Sequence, residues 1–306
     1  MIIALIIVGA LLLLFVLSHF FVTYIIFSKF FKRKNNDIIK EFAYKNLDEE
    51  QTDYLDTAIK ELQTHDHQEV SITSYDNKKL VGDYYPSTSD KLIIFFHGFQ
   101  ADTYMSFGVQ AEHFLKNNYH IILIDERSHH RSGGKYIGYG YFEHHDVLSW
   151  IEYASKLDGI NEISCYGISM GGTSIAIASE YIKNSKVKHL IVEDAYANLE
   201  KLADDIAETQ HIPFWIFKSV LALYIRFVAK IKKGVDTSEA LKHNKIHTIF
   251  VRSEKDSIVS LKFFNDNYNN CASKKDKIFV PNAKHAWGVI VGKENFLNEL
   301  DKKIGE

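Results

Sequence analysis

The stretch from Ile160 to Ile182 constrains this chain more than any other. An apolar, partly β-branched run (Ile160, Ile163, Cys165) leads into Gly167-Ile168-Ser169-Met170-Gly171, and a helix-like run from Thr173 to Ile182 leaves it. The pentapeptide reads G-x-S-x-G, the sharp strand-to-helix turn that exposes a serine nucleophile. Such a turn presents one side chain at its tip in a strained backbone conformation. Glycines at 167 and 171 are expected because a Cβ at either position clashes where the backbones crowd. The serine then sits at a helix N-terminus, whose free N–H groups favour developing negative charge. A Gly-rich turn with an exposed serine is the plainer reading; strand before and helix after favour the functional one.

The segments on either side set the fold class. Val70–Thr73 and Leu80–Tyr85 alternate like strands around a turn at Asp76-Asn77. Leu92–Phe96 and His120–Ile124 are continuous apolar runs, as expected of strands buried on both faces. Further strand patterns cover Val187–Val192, Ile246–Val251 and Lys277–Val280, and helical patterns cover about Tyr104–Lys116 and Phe142–Lys156. Strands alternating with helices predict an α/β domain with a mostly parallel central sheet and helices on both faces. About fifty residues between Asp194 and Ile246 read as helix without strand, a cap insertion at about 195–240.

In the cap, Phe214–Lys233 reads as one amphipathic helix. Ile216, Phe217, Val220, Leu221, Leu223, Tyr224, Phe227, Val228 and Ile231 share one broad arc, and Lys218, Arg226, Lys230 and Lys233 share the other. Either its apolar arc covers the active site, or the helix lies at a lipid surface with its basic arc on the headgroups.

The N-terminus adds a second constraint. Ile2–Phe27 is almost wholly apolar and long enough to cross a bilayer as a helix. No Lys or Arg precedes it and no A-x-A site follows, so an uncleaved anchor is favoured over a signal peptide. Lys29, Lys32, Arg33 and Lys34 follow directly, and the positive-inside rule assigns that flank and the domain after it to the cytoplasm. The expected organisation is a transmembrane anchor at 1–30, a helical connector at 31–67 and the α/β domain at 68–306.

Composition excludes some alternatives. A net charge of −3 gives no bulk attraction to nucleic acid. The two cysteines, Cys165 and Cys271, form no C-x-x-C motif, so no metal or redox pattern is present.

A serine hydroxyl needs a base to take its proton, and the base is usually a histidine held by a carboxylate. Fifteen histidines occur, so position must decide among them. Asp256 follows one predicted strand and His285 follows the last, giving the order Ser169, Asp256, His285. All three fall in loops at the C-terminal ends of parallel strands, where open α/β sheets place their ligands. Asp194 and Glu254 are rival acids. The oxyanion needs fixed donors, and the N–H groups of Met170 and of Phe99 in His97-Gly98-Phe99 are the candidates. His97 is expected to brace that loop. Phe214 and Trp215, at the start of the cap helix, are the expected substrate contacts.

Phe95–Phe99, the 125–134 loop beginning Asp125-Glu126-Arg127, the turn at Ser169, Ser253–Asp256 and the His285 loop together resemble the α/β-hydrolase superfamily. More narrowly, the chain resembles bacterial serine hydrolases related to monoacylglycerol lipases, cinnamoyl esterases and serine aminopeptidases, over roughly residues 69–300. Ser128 and His130 stand where the family's D-x-R-G-H-G-x-S loop commonly has glycine, and Glu254 stands where glycine is common before the acid. The resemblance implies an α/β-hydrolase fold and hydrolysis of an ester, thioester or amide through an acyl-serine, with no metal or cofactor. A membrane-anchored carboxylesterase or lipase-like enzyme is the leading expectation, with a small-molecule ester or acyl substrate and membrane lipid as partners. A peptidase or thioesterase with the same triad, or a non-catalytic lipid- or partner-binding scaffold, are the alternatives.

Overall fold

The computed structural model describes residues 1–33, 44 and 47–305. Helix α1 (Ile2–Phe31) is 30 residues long and apolar enough to cross a membrane. Most of the predicted connector's first half lies outside the described residues. Its second half forms α2 (Glu49–Thr64), started by a capping box in which the Asp48 carboxylate accepts from Gln51 N and the Gln51 side chain reaches back to Asp48 N.

The α/β unit carries an eight-stranded sheet in the order β1-β2-β4-β3-β5-β6-β7-β8. The strands are β1 (Gln68–Thr73), β2 (Lys79–Tyr85), β3 (Lys91–Phe96), β4 (His120–Asp125), β5 (Glu162–Ile168), β6 (Val187–Glu193), β7 (His247–Ser253) and β8 (Lys275–Val280). β1 and β2 pair antiparallel, β2 runs antiparallel to β4, and the remaining neighbours are parallel. The central strands β3 and β5 pair in register from Lys91 with Glu162 to Phe96 with Gly167. β3 is covered on both faces, which explains its unbroken apolar run Leu92–Phe96.

Two cores sandwich the sheet. On one face α2, α3 (Thr103–Lys116) and the C-terminal helix (Gly288–Gly305) bury Leu55, Phe107, Phe114, Phe296 and Leu300 against Ile93, Phe95 and Tyr166. On the other, α4 (Glu143–Ser155) and α5 (Met170–Ala178) bury Val147, Trp150 and Ile175 against Leu92, Ile94 and Cys165. α5 begins at Met170, three residues earlier than the apolar pattern predicted, because the reversal at Ser169 is tighter than periodicity alone can register. The C-terminal helix is two pieces meeting at Lys293, with φ 44°.

A third cluster lies over the C-terminal strand ends. The cap contributes α6 (Leu199–Thr209), α7 (Trp215–Leu223) and α8 (Ser238–His243). The single long helix expected over Phe214–Lys233 is shorter: a π-helical turn follows α7 at Tyr224–Val228 and the helix ends there. Leu202, Leu221, Ala229 and Ile231 from the cap are buried with Ile137, Met170 and Tyr196, and with Phe27 and Phe31 from α1. The C-terminal third of α1 is therefore part of the packed domain. Thr23 and Phe27 are fully buried, Ile137 N donates to Phe31 O at 2.8 Å, and Tyr139 Oη donates to Phe30 O at 2.8 Å. Arg33 donates to the carbonyls of His130 and Ser132. Burying each phenylalanine contributes about 2–3 kcal/mol.

Candidate active site

The turn at Ser169 is forced by backbone contact. A Cβ on Gly171 would lie 2.0 Å from the Phe96 carbonyl oxygen, and one on Gly167 would lie 2.5 Å from the Gly171 carbonyl carbon. Ser169 itself adopts φ 54°, ψ −113°, strained for a residue with a side chain. Its N–H donates to Glu193 O at 2.8 Å, tying the tip to β6. The hydroxyl projects from the start of α5.

The structure brings the three sequence-predicted side chains together. Ser169 Oγ lies 3.0 Å from His285 Nε2, and His285 Nδ1 lies 2.7 Å from Asp256 Oδ2. With the carboxylate as acceptor, Nδ1 carries the proton and Nε2 is left to accept from the serine. Asp256 is fixed from several sides. Its Oδ1 accepts from Ile258 N at 2.8 Å and Val259 N at 2.9 Å, and Arg252 Nη1 donates to Oδ2 at 3.1 Å.

The rival acids do other work in the fold. Asp194 accepts from Ser253 N and Ala286 N, each at 2.9 Å, and so joins the end of β7 to the His285 loop. Glu254 Oε2 accepts from Asn282 N at 2.9 Å, bracing the same loop from its far side. Burial pulls the His285 pKa down, but the Asp256 hydrogen bond and the nearby Asp194 and Glu193 carboxylates outweigh it, and the net shift is upward. Burial raises Asp194, with His285 opposing. Glu193 is pushed up to about 8 by burial and by neighbouring Asp194, while its Oε2 accepts from Tyr166 Oη at 2.5 Å.

Gly98 touches the turn directly, since a Cβ there would lie 3.4 Å from Ser169 Cβ. This brings the Phe99 segment beside the serine. Met170 opens α5, so its N–H has no acceptor within the helix. His97 braces this loop: Nδ1 pairs with Gly98 O at 2.8 Å, and Nε2 accepts from Glu126 N at 2.9 Å. Complete burial lowers its pKa to about 3, so the ring is neutral. Phe99 stacks on Tyr139 at 5.1 Å between centroids, and Tyr139 packs on Phe31 of α1 at the same distance.

Phe214 packs into the cluster that holds Met170 and Phe99. Trp215 does not: it is 79% exposed and faces outward from the start of α7, the opposite side of the helix from that cluster. Ser128 (φ 63°) and His130 (φ 35°) adopt the left-handed conformation that explains why glycine is common at these positions. Sequence reasoning missed Arg252, whose only signal was a buried-strand arginine four residues before Asp256, and Tyr139, which had none.

Asp194, Asp256 and His285 place ligand atoms within 4.8 Å of one another. The carboxylate oxygens already accept from backbone N–H groups, and Arg252 lies 3.1 Å from Asp256 and 3.9 Å from Asp194. A cation would have to displace the guanidinium that already balances the carboxylates. The cluster suits proton transfer better than metal binding.

The family model for the alpha/beta hydrolase fold matches residues 91–229. No curated protein matches the sequence. Among solved structures, an esterase from Pyrococcus furiosus superposes with TM-score 0.66 at 20% identity, over 80% of this chain and 94% of that one. An esterase from Exiguobacterium antarcticum gives 0.60 at 16% identity, over 78% and 100%. An esterase from Rhodococcus sp. ECU1013 gives 0.59 at 14% identity, over 78% and 98%. Sheet order, the turn at Ser169 and the family match agree, and the chain is an α/β-hydrolase-fold protein.

Proposed function

We propose that this protein is a membrane-anchored serine hydrolase that cleaves a carboxylic ester through an acyl-serine intermediate. One observation carries the reading: a serine on a strained strand-to-helix turn, 3.0 Å from an imidazole whose other nitrogen is 2.7 Å from a buried carboxylate. His285 Nε2 takes the proton as Ser169 Oγ attacks the ester carbonyl. Asp256 holds the ring and stabilises the imidazolium. The N–H groups of Met170 and Phe99 receive the oxyanion. As the tetrahedral intermediate collapses, Nε2 returns the proton to the departing alcohol. Nε2 then deprotonates a water that attacks the acyl carbon, and the second collapse releases the acid and restores Ser169. The similar structures from esterases support an ester over an amide.

The burial of Phe27 and Phe31 within the domain supports an anchor that stays attached, because cleavage after the apolar run would open a hole beside Met170. The basic flank Lys29, Lys32 and Arg33 supports a cytoplasmic domain. Incubation of full-length protein with a fluorophosphonate probe tests the chemistry. Wild type is expected to label and to hydrolyse p-nitrophenyl butyrate, and Ser169→Ala to do neither. Undiminished hydrolysis by Ser169→Ala refutes the mechanism.

A further inference from the structure

The cap and the anchor share an alignment that the hydrolase chemistry does not require. His19 stacks on Phe217 at 5.5 Å, and Tyr24 and Phe27 each pack on Tyr224 at 5.6 Å. Tyr224 Oη donates to Phe20 O at 3.2 Å. Advancing along α1 from His19 to Phe27 thus corresponds to advancing along the cap helix from Phe217 to Tyr224. The two helices run side by side in the same direction.

That alignment fixes depth. A hydrocarbon core of about 30 Å holds about 20 helical residues, so Ile2 to about Phe21 fills it and His19–Tyr24 lies at its boundary. Phe217 is level with His19. Residues before Phe217 therefore lie deeper than the boundary, and residues after Tyr224 lie level with the basic flank of α1.

Side-chain chemistry follows the same gradient. The deep end, the tip joining α6 to α7, exposes Ile212 and Trp215, at 45% and 79%. Farther along, Leu223 and Phe227 stay exposed at 48% and 69%. The row Ile216, Leu223 and Phe227, part of the apolar arc, lies outward because the inner stripe is filled by Phe217, Leu221, Tyr224 and Val228. Past the π turn come Lys230, Lys232 and Lys233, all exposed, at the level of Lys29 and Lys32. Exposed Asp204, Asp205 and Glu208 on α6 limit immersion to the tip and the α7 side.

We propose that the α6–α7 tip and the outer edge of α7 form a lipid-docking surface that inserts into the leaflet crossed by the end of α1. The occupant is a bilayer with anionic headgroups. Apolar residues reach the acyl region, Trp215 sits near the boundary, and the lysine cluster meets phosphates. The inner side of the tip, at Phe214 and Leu221, shares a cluster with Met170 beside Ser169. An ester dissolved in the membrane then reaches the nucleophile from the bilayer, so the substrate class is an amphiphilic, membrane-resident ester. This deepens the hydrolase reading and rests on α1 spanning the bilayer.

The test uses full-length protein in phosphatidylglycerol-containing vesicles, with lipids brominated on the acyl chain as fluorescence quenchers. The emission lost between wild type and Trp215→Phe isolates Trp215, because Trp150 is buried and Trp287 is half-buried elsewhere. That emission is expected to fall by more than half with brominated lipid and to be shielded from aqueous iodide. Accessibility to iodide without quenching by brominated lipid overturns the proposal, and this readout needs no turnover, so it fails separately from the hydrolase reading. Ile212→Asp, at the deep tip, provides a second arm. Its hydrolysis of a vesicle-embedded diacylglycerol is expected to drop about fivefold or more, with p-nitrophenyl acetate hydrolysis unchanged. Equal rates on both substrates, or equal losses on both, overturn it.

Discussion

Asp256→Asn probes the proton relay with the least change in shape, and its consequence can be worked from the hydrogen bonds. Oδ1 accepts from two backbone donors, Ile258 N and Val259 N. An asparagine must keep its carbonyl oxygen there, because an NH2 group would face two N–H groups. The amide NH2 therefore takes the place of Oδ2, 2.7 Å from His285 Nδ1 and 3.1 Å from Arg252 Nη1. It donates where His285 also donates, which drives the imidazole to the tautomer with its proton on Nε2. That ring cannot accept the Ser169 proton. The variant also leaves the imidazolium of the transition state without its counter-charge. At an effective dielectric constant near 20, a unit charge about 4 Å away is worth about 4 kcal/mol, or about 10³-fold. With the tautomer added, the loss in kcat is expected near 10⁴-fold, the size seen when a triad aspartate becomes asparagine in serine proteases.

Steady-state hydrolysis of p-nitrophenyl butyrate, with circular dichroism confirming the fold, measures this loss. Glu254→Gln is the control: Glu254 braces the loop through Asn282 N without bonding the ring, and the amide oxygen can keep that bond, so it should lose about tenfold or less. The pH profile adds an independent check. His285 must be neutral to act as base, and its pKa is raised, so wild-type activity rises with pH along a limb above 6.5. Removing the Asp256 charge moves that limb to lower pH. Asp256→Asn within tenfold of wild type, or a larger loss in Glu254→Gln, refutes the assignment of the acid.

Two further predictions concern the frame around the site. Glu193, raised to about 8 in the folded protein from an ordinary 4.5, keeps a proton that the unfolded chain releases between those values. Stability therefore falls as pH rises through that window, and Glu193→Gln should flatten the slope, seen as thermal midpoints in detergent at pH 5 and pH 8 that differ less than in wild type. Gly171→Ala places a methyl 2.0 Å from a backbone oxygen and should abolish folded, monodisperse protein in size-exclusion chromatography, whereas Gly9→Ala, with nothing within 4 Å, should be silent.

The parts of this molecule legible in the sequence are those set by short-range rules. The turn at Ser169 shows itself because two glycines must flank one strained residue. The buried strands β3 and β4 show themselves because burial on both faces removes polar residues. The order Ser169, Asp256, His285 follows from where parallel strands end. Trp215 misleads for a physical reason: a large aromatic at a cap-helix start suits either a pocket or an exposed tip, and periodicity cannot say which side faces in. The outward row Ile216, Leu223 and Phe227 hides for the same reason, since an apolar edge reads as core whether protein or lipid covers it.

The end of α1 was the least legible feature, because a helix apolar all round gives its inner face no contrast. One trace exists in hindsight: Thr23, Phe27 and Phe31 repeat at intervals of four and fall on a single stripe, and these are the α1 residues the domain buries. On the proposed function, with α1 as a membrane anchor and Ser169 as the nucleophile, their burial links membrane and chemistry physically. Phe31 packs on Tyr139, Tyr139 stacks on Phe99, and the Phe99 segment lies beside Ser169 through Gly98. A force that shifts the anchor in the bilayer is therefore passed through two aromatic contacts to the loop expected to hold the oxyanion, where misplacement of a donor by about 1 Å can cost about 10²-fold in rate. An unrelated span lacking this stripe would still tether the domain, but it would leave that loop without the wall that positions it.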